Sequence, residues 1–429
     1  HSTFSMKMHW PGLWITLCLF SMVCGGKVLV FPMDGSHWVN MNVIIEALHS
    51  RGHQVSVVRS SKDFITEFVG QLLAIQREGK SLWTRYKLEK EQAEKSLEMN
   101  EKMSKILEML FENKELMQSI QNAKYDLVLT DPMSPIGAIV AHYFGLPLVF
   151  NVRWTSHGEG HFAIAPSPLS YVPLTGTELS DKMSFFERMF NVFMFSFWEY
   201  QIAKYVLPSY AGMIEKYLGP DIDYKSLFQA ADLWLMRVDF VFEFPRPTMP
   251  NVIYMGGFQC KPKHGIIIIY KGDRPASLGN NTLLVDWMPQ TDLLRHPKIK
   301  LFVAHGGTNG VQEAIYHGVP ILGLPLIFDQ RDNLFRIEVR GAGKIVDFFT
   351  MNEHTFLQGI QEVLNDPTYT TNMQILSQLH RDQPMKPLDT ALFWIEFVMR
   401  HTCAAHQGTE SYKLLCLKRK EKSTANLRE

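Results

Sequence analysis

The chain has 429 residues, of which 46% are hydrophobic and 12% aromatic, so it can form two or three domains with large buried cores. Lysine plus arginine and aspartate plus glutamate number 43 each, so the chain lacks the excess positive charge typical of nucleic-acid-binding proteins. No low-complexity tract or short-period repeat is visible. Strand-like and helix-like segments alternate, which predicts an α/β protein with no nucleic-acid partner.

Residues 1–25 have the pattern of a secretory signal peptide with a few upstream residues. Lys7 follows Met6, and residues 13–24 are apolar but too few to span a bilayer. Small residues at Gly25 and Gly26 suit cleavage there. A buried N-terminal helix is the alternative interpretation. Entry into the secretory pathway would make the triplet that begins at Asn280 a glycosylation site.

His37 is the first candidate catalytic residue. The sequence predicts a buried strand at 27–31, a helix at 38–49 and a second strand at 54–58, which places His37 in the loop before the helix. In open parallel sheets such a loop faces the ligand crevice, where a neutral imidazole could accept a proton. A surface histidine at a helix start explains the same spacing, so both interpretations stay open.

Asp131 is the second candidate. A strand predicted at 126–129 ends just before it, and a helix predicted at 136–143 follows. A carboxylate at that edge could orient a histidine and stabilise its protonated form. An Asp-Pro pair after a strand is also common in turns and helix caps.

Two further regions have a regular apolar pattern. Residues 83–121 carry apolar side chains at three- and four-residue spacing, which predicts helices that cover the sheet with a charged outer face. Residues 185–206 are the most aromatic stretch. We favour buried core and pocket wall for that stretch, and contact with a membrane surface is the alternative.

A strand–helix–strand unit at 299–330 predicts a phosphate site. The strand predicted at 299–304 leads into His305, Gly306 and Gly307, a helix follows at 309–317, and a second strand follows at 321–326. Glycines let the backbone approach a ligand closely. The helix start offers N–H groups and a partial positive charge to an anion.

Residues around this unit suit the other parts of a nucleotide sugar. Glu313 could accept hydrogen bonds from ribose hydroxyls. Trp287 could stack on the base, and Gln290 could form hydrogen bonds with the polar edge of that base. Asp329 and Gln330 follow the second strand, where their polar groups would face the crevice. Partners for base, ribose, phosphate and sugar therefore appear in chain order.

One long stretch resembles the donor-binding signature of the UDP-glycosyltransferases, and is most similar to the vertebrate UDP-glucuronosyltransferases: WMPQTDLLRHPKIKLFVAHGGTNGVQEAIYHGVPILGLPLIFDQRDN. The resemblance continues through GGKVLVFPMDGSHWVNM, SPLSYVP and DTALFWIEFVMRH. It implies two facing Rossmann-like domains of the glycosyltransferase-B type. We expect an acceptor-binding domain at 26–245 and a UDP-sugar-binding domain at 246–400.

The resemblance implies transfer of glucuronic acid from UDP-glucuronate to a hydroxyl of a small lipophilic acceptor. His37 would be the general base and Asp131 its partner. The diphosphate would contact His305, the glycine turn at Gly307, and the backbone of Thr308, Asn309 and Gly310. Asp329 and Gln330 would hold sugar hydroxyls. We expect UDP-glucuronate as co-substrate with no cofactor and no metal.

The resemblance also implies the lumenal side of the endoplasmic reticulum and association with copies of itself or with relatives. No disulfide framework is expected, because Cys260, Cys403 and Cys416 are an odd number outside the predicted signal peptide.

Two departures from the family pattern are predicted. The segment near 262–270 is too short for the strand and helix that relatives carry there, so we expect the UDP-sugar-binding domain to be shortened by an internal deletion. The tail at 401–429 has no apolar run long enough for the usual transmembrane helix. The alternative function is therefore a catalytically inactive isoform that modulates active relatives. A dinucleotide-dependent oxidoreductase is disfavoured because no GxGxxG turn is visible.

Overall fold

The computed structural model describes residues 25–59, 82–152, 164–260 and 290–402. The first part of the chain contains β1 (Lys27–Phe31), α1 (Ser36–Ser50), β2 (Gln54–Val57), α2 (Leu82–Glu112), α3 (Lys114–Ala123), β3 (Leu127–Thr130), α4 (Ile136–Phe144), β4 (Leu148–Val152), α5 (Phe185–Tyr205), α6 (Leu207–Leu218), α7 (Tyr224–Gln229), β5 (Leu233–Met236) and β6 (Val252–Tyr254). The second part contains α8 (Gln290–Leu294), β7 (Phe302–Ala304), α9 (Thr308–His317), β8 (Ile321–Gly323), α10 (Gln330–Val339), β9 (Gly343–Ile345), α11 (Glu353–Asn365), α12 (Pro367–Arg381) and α13 (Pro387–His401).

Several sequence predictions lie outside the described residues and stay predictions. They are the signal peptide, the deletion near 262–270, the site at Asn280, the base-stacking role of Trp287, and the tail from 403 onward. Within the described ranges, no helix is both long enough and apolar enough to cross a membrane.

The first sheet has six parallel strands in the order β2-β1-β3-β4-β5-β6. The chain moves from β1 outward to β2 and then returns to the other side of β1 with β3. The strand order therefore reverses between β1 and β3, and ligands of open α/β sheets bind at such a switch point.

Both faces of this sheet are covered, which explains its continuous apolar strands. Successive side chains of a strand point to opposite faces. In β1, Leu29 and Phe31 join a core formed with α2, α4 and α6, whereas Val28 and Val30 join a core formed with α1 and α13. The two cores hold the carboxyl ends of β1 and β3 at one edge.

The first sheet extends past the boundary expected at residue 245. Strand β6 pairs with β5 in the register Trp234↔Val252, so it belongs to the first sheet. The last described helix, α13, also returns to this sheet, where Leu392 and Ile395 are buried against its core. The second domain is therefore flanked on both sides in sequence by elements of the first.

The aromatic helix α5 differs from the expected buried core. Phe185, Phe186 and Phe193 are 69%, 79% and 63% exposed, whereas Asn191 and Ile202 are buried. Helix α5 packs against α2 and α6, and these two helices cover only one side of α5. The core interpretation was wrong for this helix because a helix that is apolar all round does not reveal how many neighbours it has.

The second sheet has three described parallel strands in the order β7-β8-β9. Helix α9 packs against α10 and α12, with Val311, Ala314 and Ile315 in its core. The predicted strands at 299–304 and 321–326 are both shorter in the structure, which ends β8 at Gly323.

We expect Ile395→Ala to lower the free energy of unfolding by about 2–5 kcal/mol, because it removes a fully buried side chain and leaves a cavity. Ile375→Ala is the matched control, since Ile375 is 49% exposed on α12 and should change stability by less than about 0.5 kcal/mol. Denaturant titration measures both. Equal losses for the two variants would contradict the packing of α13 on the first sheet.

Candidate active site

His37 and Asp131 meet at the switch point of the first sheet. They follow β1 and β3, which are neighbouring strands in the register Phe31↔Thr130. Nδ1 of His37 lies 2.6 Å from Oδ2 of Asp131. His37 was expected in the loop before the helix, but α1 begins at Ser36, so the histidine lies in the first helical turn.

The Asp131 carboxylate orients the imidazole. Asp131 is fully buried, and its second oxygen, Oδ1, accepts a hydrogen bond of 2.9 Å from the backbone N–H of Met133. Because a carboxylate only accepts hydrogen bonds, the proton of the short contact belongs to Nδ1 of His37. Nε2 of His37 then carries the lone pair and can accept a proton from a substrate.

The start of α9 has the backbone geometry on which the prediction of an anion site depends. Its first helical hydrogen bond joins the N–H of Val311 to the carbonyl of Gly307 at 3.1 Å. The N–H groups of Thr308, Asn309 and Gly310 precede that bond, so they are available to an anion at the positive end of the helix.

Gly306 and Gly307, the two glycines before α9, are each required for a different steric reason. Gly306 has a φ of +89°, and a Cβ there would lie 2.5 Å from the backbone oxygen of Gln330. A Cβ at Gly307 would lie 2.6 Å from Nε2 of His305. Any larger residue would therefore push α9 away from α10 or displace the His305 ring. His305 is exposed at the end of β7.

Asp329 is tied to the start of α9. Its Oδ2 accepts hydrogen bonds from Oγ1 of Thr308 and from Nδ2 of Asn333, both at 2.9 Å. Asn333 also donates to the carbonyl of Gly306 at 3.0 Å. Asn333 was not predicted from the sequence, although it lies one helical turn after Asp329 and therefore on the same side of α10.

Gln330 was expected at the end of a strand but is the first residue of α10. Its Oε1 accepts hydrogen bonds from the N–H groups of Leu326 and Ile327, at 2.9 and 3.1 Å. The side-chain oxygen therefore shapes the loop between β8 and α10. The amide NH₂ of Gln330 is the end that can bind a sugar hydroxyl.

Glu313 and Gln290 are in direct contact in the structure. Nε2 of Gln290 donates to Oε2 of Glu313 at 2.8 Å. Burial raises the pKa of the Glu313 carboxyl above its usual value, although hydrogen bonds from Gln290 and Thr291 oppose the rise. The raised pKa marks a partly desolvated carboxylate of the kind found at ligand sites.

Polar contacts from the first domain reach α9. Nδ2 of Asn40 and Nη2 of Arg237 both donate to Oδ1 of Asn309, at 3.0 and 2.8 Å. Neither donor was predicted from the sequence. Arg237 directly follows β5 at the carboxyl edge of the sheet, and Asn40 lies three residues after His37 on the same side of α1. Both positions could therefore have been assigned to the site from the sequence.

A second polar contact joins the two domains beside α10. Asp332 accepts hydrogen bonds from the backbone N–H groups of Gly176 and Glu178, at 2.8 and 3.2 Å. The Glu178 carboxylate also pairs with Arg331 at 2.6 Å. These contacts place the carboxyl edges of the two sheets next to each other, with His37 on one side and the start of α9 on the other.

Comparison with solved structures shows the same fold. The glycosyltransferase VinC, crystallised with dTDP, is 16% identical with a TM-score of 0.54, and the match covers 87% of this chain and all of VinC. The calicheamicin glycosyltransferase CalG4 gives a TM-score of 0.54 at 15% identity, covering 88% of this chain and all of CalG4. Like glycosyltransferases of type B, the chain has two facing Rossmann-like domains.

Sequence comparison gives closer relatives. Human UDP-glucuronosyltransferase 2B15 is 34% identical over 487 residues, which cover 95% of this chain and 91% of the relative. Rat UDP-glucuronosyltransferase 2A1 is 35% identical, covering 94% of this chain and 90% of the relative. The first alignment is longer than the 429-residue chain, so the relative carries residues that this chain lacks.

The family model described as UDP-glucoronosyl and UDP-glucosyl transferase matches residues 26–268 and 264–415. The match divides at the place where the sequence analysis expects a deletion, although that segment lies outside the described residues. Together the two matches cover most of the chain, and the relatives are similar over nearly its whole length. The chain belongs to the family of UDP-glucuronosyl and UDP-glucosyl transferases.

Proposed function

We propose that this transferase moves glucuronic acid from UDP-glucuronate to a hydroxyl of a small lipophilic acceptor, with His37 as the general base. The observation that carries the proposal is the 2.6 Å hydrogen bond between Nδ1 of His37 and Oδ2 of Asp131. It lies at the sheet edge that Asn40 connects to α9. The proposed base and the proposed anion site therefore lie on opposite sides of the contact between the two domains.

The proposed step is a single displacement at the anomeric carbon. The acceptor hydroxyl gives its proton to Nε2 of His37 as its oxygen forms a bond to the anomeric carbon. The bond between that carbon and the β-phosphate oxygen breaks, and UDP leaves with the electron pair. Attack from the side opposite the leaving group inverts the anomeric configuration. Asp131 stabilises the imidazolium that forms.

The start of α9 would stabilise the leaving diphosphate. Negative charge grows on the β-phosphate as the bond breaks, and the N–H groups of Thr308, Asn309 and Gly310 are already oriented before the first helical bond. His305 lies at the end of β7, next to this turn. Asp329 and Gln330 would bind sugar hydroxyls, and Glu313 the ribose.

The choice of donor sugar rests on the relatives. The names of the human and rat relatives specify glucuronosyl transfer. The lipophilic acceptor is inferred from the family resemblance.

We expect His37→Ala to lower kcat by about 10²- to 10⁴-fold, which is the usual contribution of a positioned general base. The affinity for UDP should stay within about twofold, because His37 contacts the acceptor. His49→Ala is the matched control, since His49 is an exposed residue at the other end of α1. Turnover of UDP-glucuronate with a phenolic acceptor measures the effect. Unchanged turnover in His37→Ala would refute the assignment of the base.

We expect UDP-glucuronate to raise the thermal unfolding midpoint more than UDP-glucose at equal concentration, because a ligand bound only by the native state stabilises in proportion to its affinity. UDP alone should also stabilise. A thermal-shift titration with the three ligands measures this. Equal shifts for the two UDP-sugars would remove the preference for glucuronate. No shift with any ligand in folded protein would contradict donor binding and favour the inactive isoform.

We expect UDP binding to weaken as the pH falls through the raised pKa of Glu313, because protonation removes a charged acceptor for the ribose hydroxyls. The loss should be about fivefold, the usual difference between a charged and a neutral hydrogen bond. The loss of affinity should occur at a higher pH than the titration of an exposed glutamate, whose pKa is about 4.3.

Glu313→Gln provides the control for this pH dependence. The phosphates of UDP titrate with both proteins, so the ratio of the two dissociation constants isolates the effect of Glu313. Isothermal titration calorimetry across the acidic range measures that ratio. A ratio that stays constant with pH would show that the Glu313 charge does not contribute to binding.

A further inference from the structure

The side-chain oxygen of Asn309 accepts two hydrogen bonds from the first domain. Nδ2 of Asn40 lies 3.0 Å from it and Nη2 of Arg237 lies 2.8 Å from it. Asn40 is fully buried and Arg237 is 2% exposed. A buried donor is costly to leave without an acceptor, so both donors favour the position in which Oδ1 of Asn309 reaches them.

These two donors determine which way the Asn309 amide faces. An amide NH₂ and a guanidinium nitrogen can only donate, so the Asn309 atom between them must be the oxygen. Nδ2 of Asn309 is then on the other branch of the amide, away from both donors. Asn309 is the second residue of α9, where an anion would contact the helix.

Asn40 and Arg237 each make a further hydrogen bond to another part of the chain. Nδ2 of Asn40 also donates to the carbonyl of Ser36, in the turn that contains His37, at 3.1 Å. The carbonyl of Arg237 accepts from Nε2 of Gln312 at 2.5 Å, and Oε1 of Gln312 accepts from the N–H of Gly257 at 2.8 Å. Asn40 is therefore connected to the turn that carries the proposed base, and Arg237 to the segment after β6.

We propose that Asn40 and Arg237 are positioning residues for the donor. They orient Asn309 so that its Nδ2 donates to the diphosphate, and they set the distance between α1, which carries His37, and α9, which carries the anion site. The inference rests on the proposed function for the identity of the ligand. It adds that the first domain prepares the UDP site through Asn309.

A double-mutant cycle on UDP affinity tests the proposal. We expect Asn309→Ala to raise the Kd for UDP by about tenfold, the worth of one well-formed hydrogen bond to a charged group. Asn40→Ala should raise the Kd by a smaller factor, because Arg237 still donates to Oδ1 of Asn309. The double variant should bind as Asn309→Ala does, because Asn40 acts only through Asn309. Calorimetry on protein with a confirmed unfolding transition measures all four affinities.

Asn40→Asp is a second variant that keeps the shape of the side chain. A carboxylate cannot donate to Oδ1 of Asn309, so it should draw Nδ2 toward itself and turn the amide round. The Kd for UDP should then rise more than in Asn40→Ala. Asn42→Asp is the matched control, since Asn42 lies on the same helix and makes an exposed 2.7 Å contact with Glu46. Its affinity for UDP should stay unchanged.

The outcomes separate this inference from the proposed function. UDP binding by the unmodified chain with additive losses in the double variant would overturn the positioning role alone. An unchanged Kd in both Asn40→Ala and Asn40→Asp would do the same. Absence of UDP binding by the folded, unmodified chain would overturn the proposed function and this inference together.

Discussion

The two halves of the site meet at one acceptor, the side-chain oxygen of Asn309, whose two donors are buried. Donors from two different elements of the first domain reach it within 3.0 Å. Leaving such a donor unpaired in a buried position costs about 1–3 kcal/mol. The hydrogen bonds therefore restrict the spacing between α1 and α9, and the distance from the proposed base to the anion site depends on that spacing.

Topology explains why so few elements are needed to build the rest of the site. The strand order of the first sheet reverses between β1 and β3, so the residues that follow these strands become neighbours. His37 and Asp131 meet for this reason. The second sheet repeats the arrangement, because His305 follows β7 and the loop to Asp329 follows the neighbouring β8. Parallel strands bring distant segments of the chain to one edge.

Two buried aspartates have comparable roles on the two sides of the crevice. Asp131 holds the imidazole of His37, and Asp329 holds the hydroxyl of Thr308 at the start of α9. Each carboxylate is tied to a second group as well, which limits its motion. Asp329 was expected to hold a sugar hydroxyl. The structure adds that it also braces the helix whose N-terminus would bind the diphosphate.

The amino-acid sequence by itself determined the local elements and the residues at the ends of strands. The helix at 309–317 and the pairing candidates His37 and Asp131 could be read from it, because periodicity and glycine position are local properties. Tertiary structure decided the contacts of Asn40 and Arg237 with Asn309, which is 269 and 72 residues away from them. It also decided that α13 returns to the first sheet and that α5 stays exposed. The hydrophobic pattern of a segment shows which side chains could be buried, but the elements that pack against the segment determine which of them are.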